Sequence, residues 1–265
     1  MYKTCGTGSA VMVSCEKNPD CRRYMLITCA VLARECYHCA ARSPNAVDIR
    51  IVEQGLHDIG CDKMSAALQR EIDSVDKKKY EAVLLGYGLC NNGIRNLRAP
   101  IPMVVPRAHD CITLLMGSRA EYQKYFDSHP GTYFRSVGWM ERAESNLSNP
   151  RSTTRTMGIA TYDEYVEKYG EENAQYLMQT LNDHLKNYSR VAYIDTGIPH
   201  TESHERAARH WGRANGWEFT KINGDVRLIA DLTAGRWDAE DFLVVPPGHS
   251  IEPSYDDTIV KVGEH

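Results

Sequence analysis

The sequence predicts an α/β protein: a doubly wound, mainly parallel sheet with a second α/β unit. Two observations carry that expectation. Short apolar runs of strand length alternate with longer stretches whose apolar residues recur every three or four positions, as in βα units. Four of those runs also stop at, or shortly before, a cysteine or histidine. In a parallel sheet the carboxyl ends of the strands share one rim, and that rim is where ligands bind.

Taken in order, residues 1–22 are small and polar with three cysteines and read as an amino-terminal extension. Residues 23–140 read as the unit carrying a site, and 141–265 as an accessory α/β unit packing on it. The run from Tyr24 begins as a buried strand, ends near Cys29 and turns helical through Arg34 and Glu35. Val47 to Glu53 alternates apolar and polar residues, which places a half-buried strand there and His57 just past its end. From Lys63 to Lys79, Met64, Leu68, Ile72 and Val75 recur at helical spacing and predict an amphipathic helix. Glu81 to Gly86 is a short apolar strand, closed by a loop in which Gly86, Gly88 and Gly93 surround Cys90. Pro102 to Pro106 is a fourth strand that runs straight into Arg107, His109, Asp110 and Cys111.

In the second half, residues 142–160 suit an exposed connection. Thr161 and Glu164 form a capping box that opens a helix through Tyr188, with a kink at Gly170. Strands are expected at 190–197 (with its glycine turn), 217–222 and 242–246, and a helix at 201–215. The tail reads as a rim loop and a weakly ordered terminus.

Composition narrows the function classes. Of 265 residues, 42% are hydrophobic and 25% charged, with a formal charge of -4, as in an ordinary globular protein. That balance gives no basic footprint for nucleic acid. The longest largely apolar stretch, Met25 to Ala33, is too short for a bilayer span, which takes roughly 20 residues. No apolar secretory core follows Met1, so a cytoplasmic protein is expected. All nine cysteines lie before residue 112. An odd number in a long chain without an export signal argues for reduced thiols over a disulfide scaffold.

The rim positions carry the chemistry. Cys29, His57, Cys90 and Cys111, with His109 as a second imidazole, are the ligand types of zinc, and the thiolates are equally those of a [4Fe-4S] cluster. Spacing does not choose between the two metals, and zinc is the first expectation. His109, Asp110 and Glu35 are candidate acids, bases or orienting groups, and Asp110 is expected to hold an imidazole. Arg107 and the amides at Gly86 and Gly88 are candidates for binding an anionic part of a substrate or cofactor. The loop matches neither a P-loop nor a dinucleotide fingerprint, so no nucleotide is expected. Cys36 and Cys39 form a CxxC inside the helix after the first strand, where packing is the expected role. His57-Asp58-Ile59-Gly60 shares part of the DxHxxG stretch of corrinoid-binding domains, but Gly55 stands where the aspartate should, so corrinoid binding is a minor expectation. His200, His204 and His210 are expected to be solvated, and Asp195-Thr196-Gly197 lacks a second carboxylate loop.

Several of these segments together resemble the family called domain of unknown function 1638. They are Leu32-Ala33-Arg34-Glu35, Gly55-Leu56-His57, Leu85-Gly86-Tyr87-Gly88-Leu89-Cys90, Pro106-Arg107-Ala108-His109-Asp110-Cys111-Ile112, Pro130 to Phe134 with Gly138-Trp139, and Gly235 to Asp238 with Asp241 to Val245. The resemblance runs from about residue 24 to 252. It implies that the rim cysteines and histidines are the family's distinctive positions. It also implies an association with corrinoid-dependent methyl transfer in anaerobic one-carbon metabolism. The expectations are therefore a metal-dependent enzyme with a small-molecule substrate, an iron-sulfur redox or dehydratase-type protein, or a non-catalytic partner of a corrinoid methyltransferase component.

Overall fold

The computed structural model describes residues 21–52, 60–143, 162–182, 186–199 and 201–263 and is a mixed α/β protein. Its first strand, β1 (Arg23–Cys29), is buried from Tyr24 onward because that stretch offers little polarity to either face. A strand apolar on both faces belongs inside a sheet. β2 (Ala46–Val52) and β3 (Ala82–Gly86) flank it, both parallel to it. β2, with its alternating polar residues, takes the half-buried edge. β4 (Met103–Pro106) runs parallel to β3, and β8 (Phe242–Val245) pairs antiparallel with β4. The order is therefore β2-β1-β3-β4-β8.

A second, three-stranded parallel sheet has β6 (Arg190–Asp195) between β5 (Thr132–Ser136) and β7 (Glu218–Asn223). The sheets thus do not divide the chain at residue 140 as expected. β5, N-terminal to that point, finds its partner in β6, and β8, far beyond it, returns to cover the open side of β4. The tail also departs from expectation. Ser250–Pro253 (β9) and Val260–Gly263 (β10) form an antiparallel hairpin whose Ile251, Ile259 and Val260 are buried in the main core. Scattered apolar residues between Pro, Asp and Ser carry little strand signal until the core is there to receive them.

The helices follow their apolar spacing. α1 (Ala33–Arg42) continues from a short 3-10 turn at Ala30–Leu32, and α2 (Cys61–Asp73) buries Met64, Leu68 and Ile72. Next come α3 (Cys111–Met116), α4 (Arg119–Ser128) and α5 (Val137–Ala143). The helix expected through to Tyr188 is two helices, α6 (Tyr162–Tyr169) and α7 (Glu171–Asn182), because Gly170 adopts φ +80° and reverses the backbone between them. Thr161 of the capping box lies outside the described residues. α8 (Glu202–Ala214) and α9 (Arg227–Ala234) complete the order, and α9 packs on α1. No helix among the described residues is long and apolar enough to cross a membrane.

Candidate functional site

Three hydrogen bonds, one from a side chain and two between backbones, tie the ends of β1, β3 and β4 together. Thr28 Oγ1 donates to the carbonyl of Gly86 at 3.1 Å, and a Cβ on Gly86 would collide with the Thr28 side chain. Beyond β3, the amides of Leu89 and Cys90 donate to the carbonyls of Ala108 and His109 at 2.7 and 2.8 Å. Gly88 permits that pairing, since a Cβ there would lie 2.6 Å from the Asp110 nitrogen. Cys90, Asn91 and Asn92 then take φ values of 48°, 54° and 65°, three consecutive non-glycine residues in the left-handed region. Such strain persists only where the surroundings hold it, and it concentrates at functional positions. Here it accompanies a thiol.

Cys111 opens α3. Asp110 caps that helix: its Oδ1 accepts from the amides of Ile112 and Thr113 at 3.0 and 3.2 Å, and its Oδ2 accepts from the Tyr122 hydroxyl at 2.9 Å. Asp110, expected to hold an imidazole, thus has both oxygens engaged in placing α3 and α4.

Cys29, Cys90 and Cys111, from the ends of three different strands, are 3%, 6% and 8% exposed. All seven described cysteines are free. Burial pushes the Cys29 thiol up to about 11, although the Val31 and Ala30 amides oppose it. Burial likewise raises Cys90, with Cys29 adding to the effect, and raises Cys111 further, with Cys90 and Cys29 adding to it. The three sulfurs are thus within electrostatic reach of one another, and ionising one opposes ionising the next. The Tyr87 hydroxyl and the Trp139 indole nitrogen are buried and make no hydrogen bond of ordinary geometry. The Tyr87 hydroxyl feels Cys29, Cys90 and Cys36, and the Trp139 indole N–H favours the Cys111 thiolate. Among the described residues no three His, Cys, Asp or Glu side chains form a ready-made group for a metal ion.

The other expected residues are spread more widely. His57 lies outside the described residues, as do Cys5 and Cys15. His109 is exposed and lines a cavity of about 510 Å³ with Thr113, Arg119, Tyr122, Arg227 and Asp241. Since His109 precedes Cys111 by two residues and Thr113 follows it by two, the cavity borders the turn that carries the thiol. Arg107 directs Nε to the carbonyl of Ala239 at 3.0 Å and Nη1 to those of Thr258 and Val260 at 2.9 and 2.5 Å, so it ties the C-terminal hairpin to the rim. Gly86 and Gly88 are explained by the close approaches just described. Glu35 is fully buried; its Oε1 accepts from Thr196 Oγ1 at 2.9 Å and its Oε2 has no partner. Burial raises its carboxyl above the usual range. It sits where α1 meets the second sheet. Cys36 and Cys39 are buried in α1, as expected for packing, with Cys36 donating to Thr28 Oγ1 at 3.4 Å. His204 faces Glu141 at 3.6 Å, and His200 lies outside the described residues.

Residues 51–233, more than half of the chain, match the family model described as Protein of unknown function (DUF1638). The chain belongs to this family. The matched span holds Cys90, Cys111 and His109, whereas Cys29 and the motif from Gly235 onward lie outside it. No curated protein and no solved structure matches the chain. Two site residues, Tyr87 and Trp139, were given no role by the sequence reading. Both lie within segments that carry the family resemblance, next to the glycines that drew attention there.

Proposed function

We propose that this DUF1638 protein binds a transition metal through Cys29, Cys90 and Cys111 at the carboxyl rim of its first sheet. The observation that carries the reading is the convergence of three buried thiols from the ends of β1, β3 and β4, held by the pairing of residues 89–90 with 108–109 and by the left-handed run at 90–92. The strand order reverses at β1, with β2 on one side and β3 on the other. In a doubly wound reading, that reversal is the crevice where ligands bind.

Thiol chemistry alone fits poorly. Reactive cysteines have lowered pKa values and partial exposure, whereas these are buried with raised values. A cation that replaces the protons removes that difficulty, because it supplies the charge that burial denies to each thiolate. Loading has to draw the three sulfurs inward from where they stand. Zinc is the first choice, completed by His57 or by a group entering from the cavity; bound zinc would supply a Lewis acid able to activate a thiol, water or a methyl-transfer substrate. His109, exposed on the cavity wall, would exchange a proton with a small-molecule substrate. Corrinoid-linked methyl transfer remains a proposal on this same site, resting on the resemblance. A second reading, a [4Fe-4S] centre, is favoured by one observation: Cys29, Cys90 and Cys111 are each buried whereas the nearest described imidazole in the chain, His109, is exposed, which leaves three thiolates as the ligand set.

The test is anaerobic purification followed by metal analysis and a visible spectrum. About one zinc per chain in a colourless protein is expected, falling at least several-fold when Cys90 or Cys111 is replaced by serine. A brown protein with iron and sulfide turns the assignment to the cluster. If no metal is bound and the serine variants leave metal content and stability unchanged, the proposal fails.

A further inference from the structure

The cavity of about 510 Å³ that His109 borders has the size that takes a small organic molecule, and its wall is unevenly charged. Glu240, Asp241, Asp256 and Asp257 stand in that wall against two guanidinium groups, Arg119 and Arg227. Both cations are spent on the wall itself. Arg227 directs Nη1 to Asp241 at 2.5 Å and Nη2 to the Gly117 carbonyl at 2.9 Å, while Arg119 donates to the backbone carbonyls of Glu240 and Asp257. The exposed carboxylates of Glu240, Asp256 and Asp257 are left over: among the described residues none of them has a cation within ion-pair distance. Asp256 is held ionised, since the Thr258 hydroxyl and amide, with Arg107 further off, keep its pKa down at about 2.

Thr113 stands at the buried end of the same wall. It is 1% exposed, and of the six buried side-chain polar atoms without a hydrogen-bond partner among the described residues, its Oγ1 is the one carried by a residue of this cavity. A helical threonine can bond back to the carbonyl four residues earlier. Here that carbonyl belongs to His109 and already accepts from the Cys90 amide. The chemistry of the wall narrows the ligand. A metal ion needs several converging ligands, and no such group exists among the described residues. A quaternary ammonium is recognised by aromatic faces, of which Tyr122 supplies the one phenol ring. Carboxylate and hydroxyl oxygens suit N–H donors, and a charged donor on a carboxylate makes the stronger hydrogen bond.

We propose that this cavity binds a small organic cation through its primary ammonium groups, which donate to the carboxylates of Glu240, Asp256 and Asp257 at the exposed end and to the Thr113 hydroxyl at the buried end. The inference deepens the small-molecule reading of the His109 cavity, on which it rests, and needs no metal at the rim.

The experiment titrates the full chain with 1,4-diaminobutane by calorimetry at neutral pH and low salt, both metal-free and after anaerobic addition of zinc. Saturable one-to-one binding is expected in both states. Glu240→Gln and Asp257→Asn keep the backbone carbonyls that hold Arg119, and each is expected to weaken binding by about 5–10-fold. Thr113→Val removes only the hydroxyl and should weaken binding to a similar degree, while the ligand-free variant melts no lower than the wild type because the lost group had no partner. The fully N-methylated diamine, with the same charge and no N–H, is expected to bind about 10-fold more weakly; equal affinity would overturn the ammonium hydrogen bonds. Unchanged affinity in Thr113→Val overturns the buried anchor, and unchanged affinity in both carboxylate variants overturns the site. Tighter binding of hexanedioate, a dianion of similar length, keeps the cavity as a substrate site but overturns the cation, and calcium binding without diamine binding overturns it in favour of a metal. If neither the diamine nor the dianion binds in either state, the inference and the small-molecule reading of the cavity fall together, whereas the rim thiols are decided separately by metal analysis. Should Thr113→Val fail to fold, the two carboxylate variants decide.

Discussion

Glu35 shows how a single side chain links stability to pH. Its carboxyl is fully buried, one oxygen is held by Thr196, and the other has no partner. Burial, the main cause, raises its pKa above the ordinary glutamate value of about 4.5, and the backbone and Thr196 hydrogen bonds only partly oppose this. The sign follows: the folded protein holds this proton more tightly than the unfolded chain. The resulting stabilisation is complete below about pH 4.5 and is lost as pH rises through the raised value. Glu35→Gln keeps an acceptor for Thr196 and removes the ionisation. Relative to wild type, its urea midpoint is therefore expected to rise from pH 5 to pH 8, and a pH-independent difference between the two proteins would refute the account. The same residue marks the reach of sequence reading. Its proximity to Cys29 in the chain made it a candidate acid, but the chain does not reveal that α1 turns it toward Thr196 on the second sheet.

At the scale of elements, the site depends on the loops after β3 and β4 meeting backbone to backbone. Gly88 is the contact point, where an added Cβ would lie 2.6 Å from the Asp110 nitrogen and 2.8 Å from the Ala108 carbonyl oxygen. Backbone atoms have no rotamer with which to yield, so Gly88→Ala is expected to cost about 1–3 kcal/mol, as other overpacking changes do, and to lower metal content along with stability. Gly60→Ala is the control. Gly60 has φ +89° but nothing within 4 Å, so alanine there meets only backbone strain and should leave metal content unchanged. Thermal unfolding and metal analysis of the two variants separate local packing at the rim from a general loss of stability. Much at this level was legible: β1, β3 and β4 are apolar runs bounded by Gly, Pro or Cys, and β6, α8, β7 and β8 fall close to where spacing put them. β5 and the hairpin of β9 and β10 were not legible. Their apolar residues are sparse, and partners far along the chain decide their conformation. The rim cysteines were legible from strand ends, whereas Tyr87 and Trp139 were not, since an aromatic in a glycine-rich motif reads equally as packing.

Over the whole molecule, the chain leaves the first sheet after β4, builds the second, and returns through β8 to pair with β4. The two sheets are joined further by Arg34, whose guanidinium meets Glu141 of α5, and by the bond between Glu35 and Thr196. What closes the circuit is Arg107, at the end of β4. Its three donated bonds hold Ala239, just before β8, and Thr258 and Val260 of the terminal segment, while Arg119 grips the carbonyls of Glu240 and Asp257 alongside. Arg119, Glu240 and Asp257 of this network also line the cavity that His109 borders. Arg107→Met preserves most of the side-chain bulk and removes the donors. A hydrogen bond to a charged group contributes about 1.5–3 kcal/mol, and the loss should be of that order overall because the three bonds share one guanidinium. Its location is the sharper readout. In hydrogen-exchange measurements, amides from 256 to 263 are expected to lose protection in the variant while those of β1 and β3 keep theirs under native conditions. Unchanged protection in the hairpin would show that its buried Ile251, Ile259 and Val260 suffice to hold it. Protection lost equally in β1 would show instead that the clamp belongs to the global unfolding unit, with the cavity wall and the central sheet opening only together.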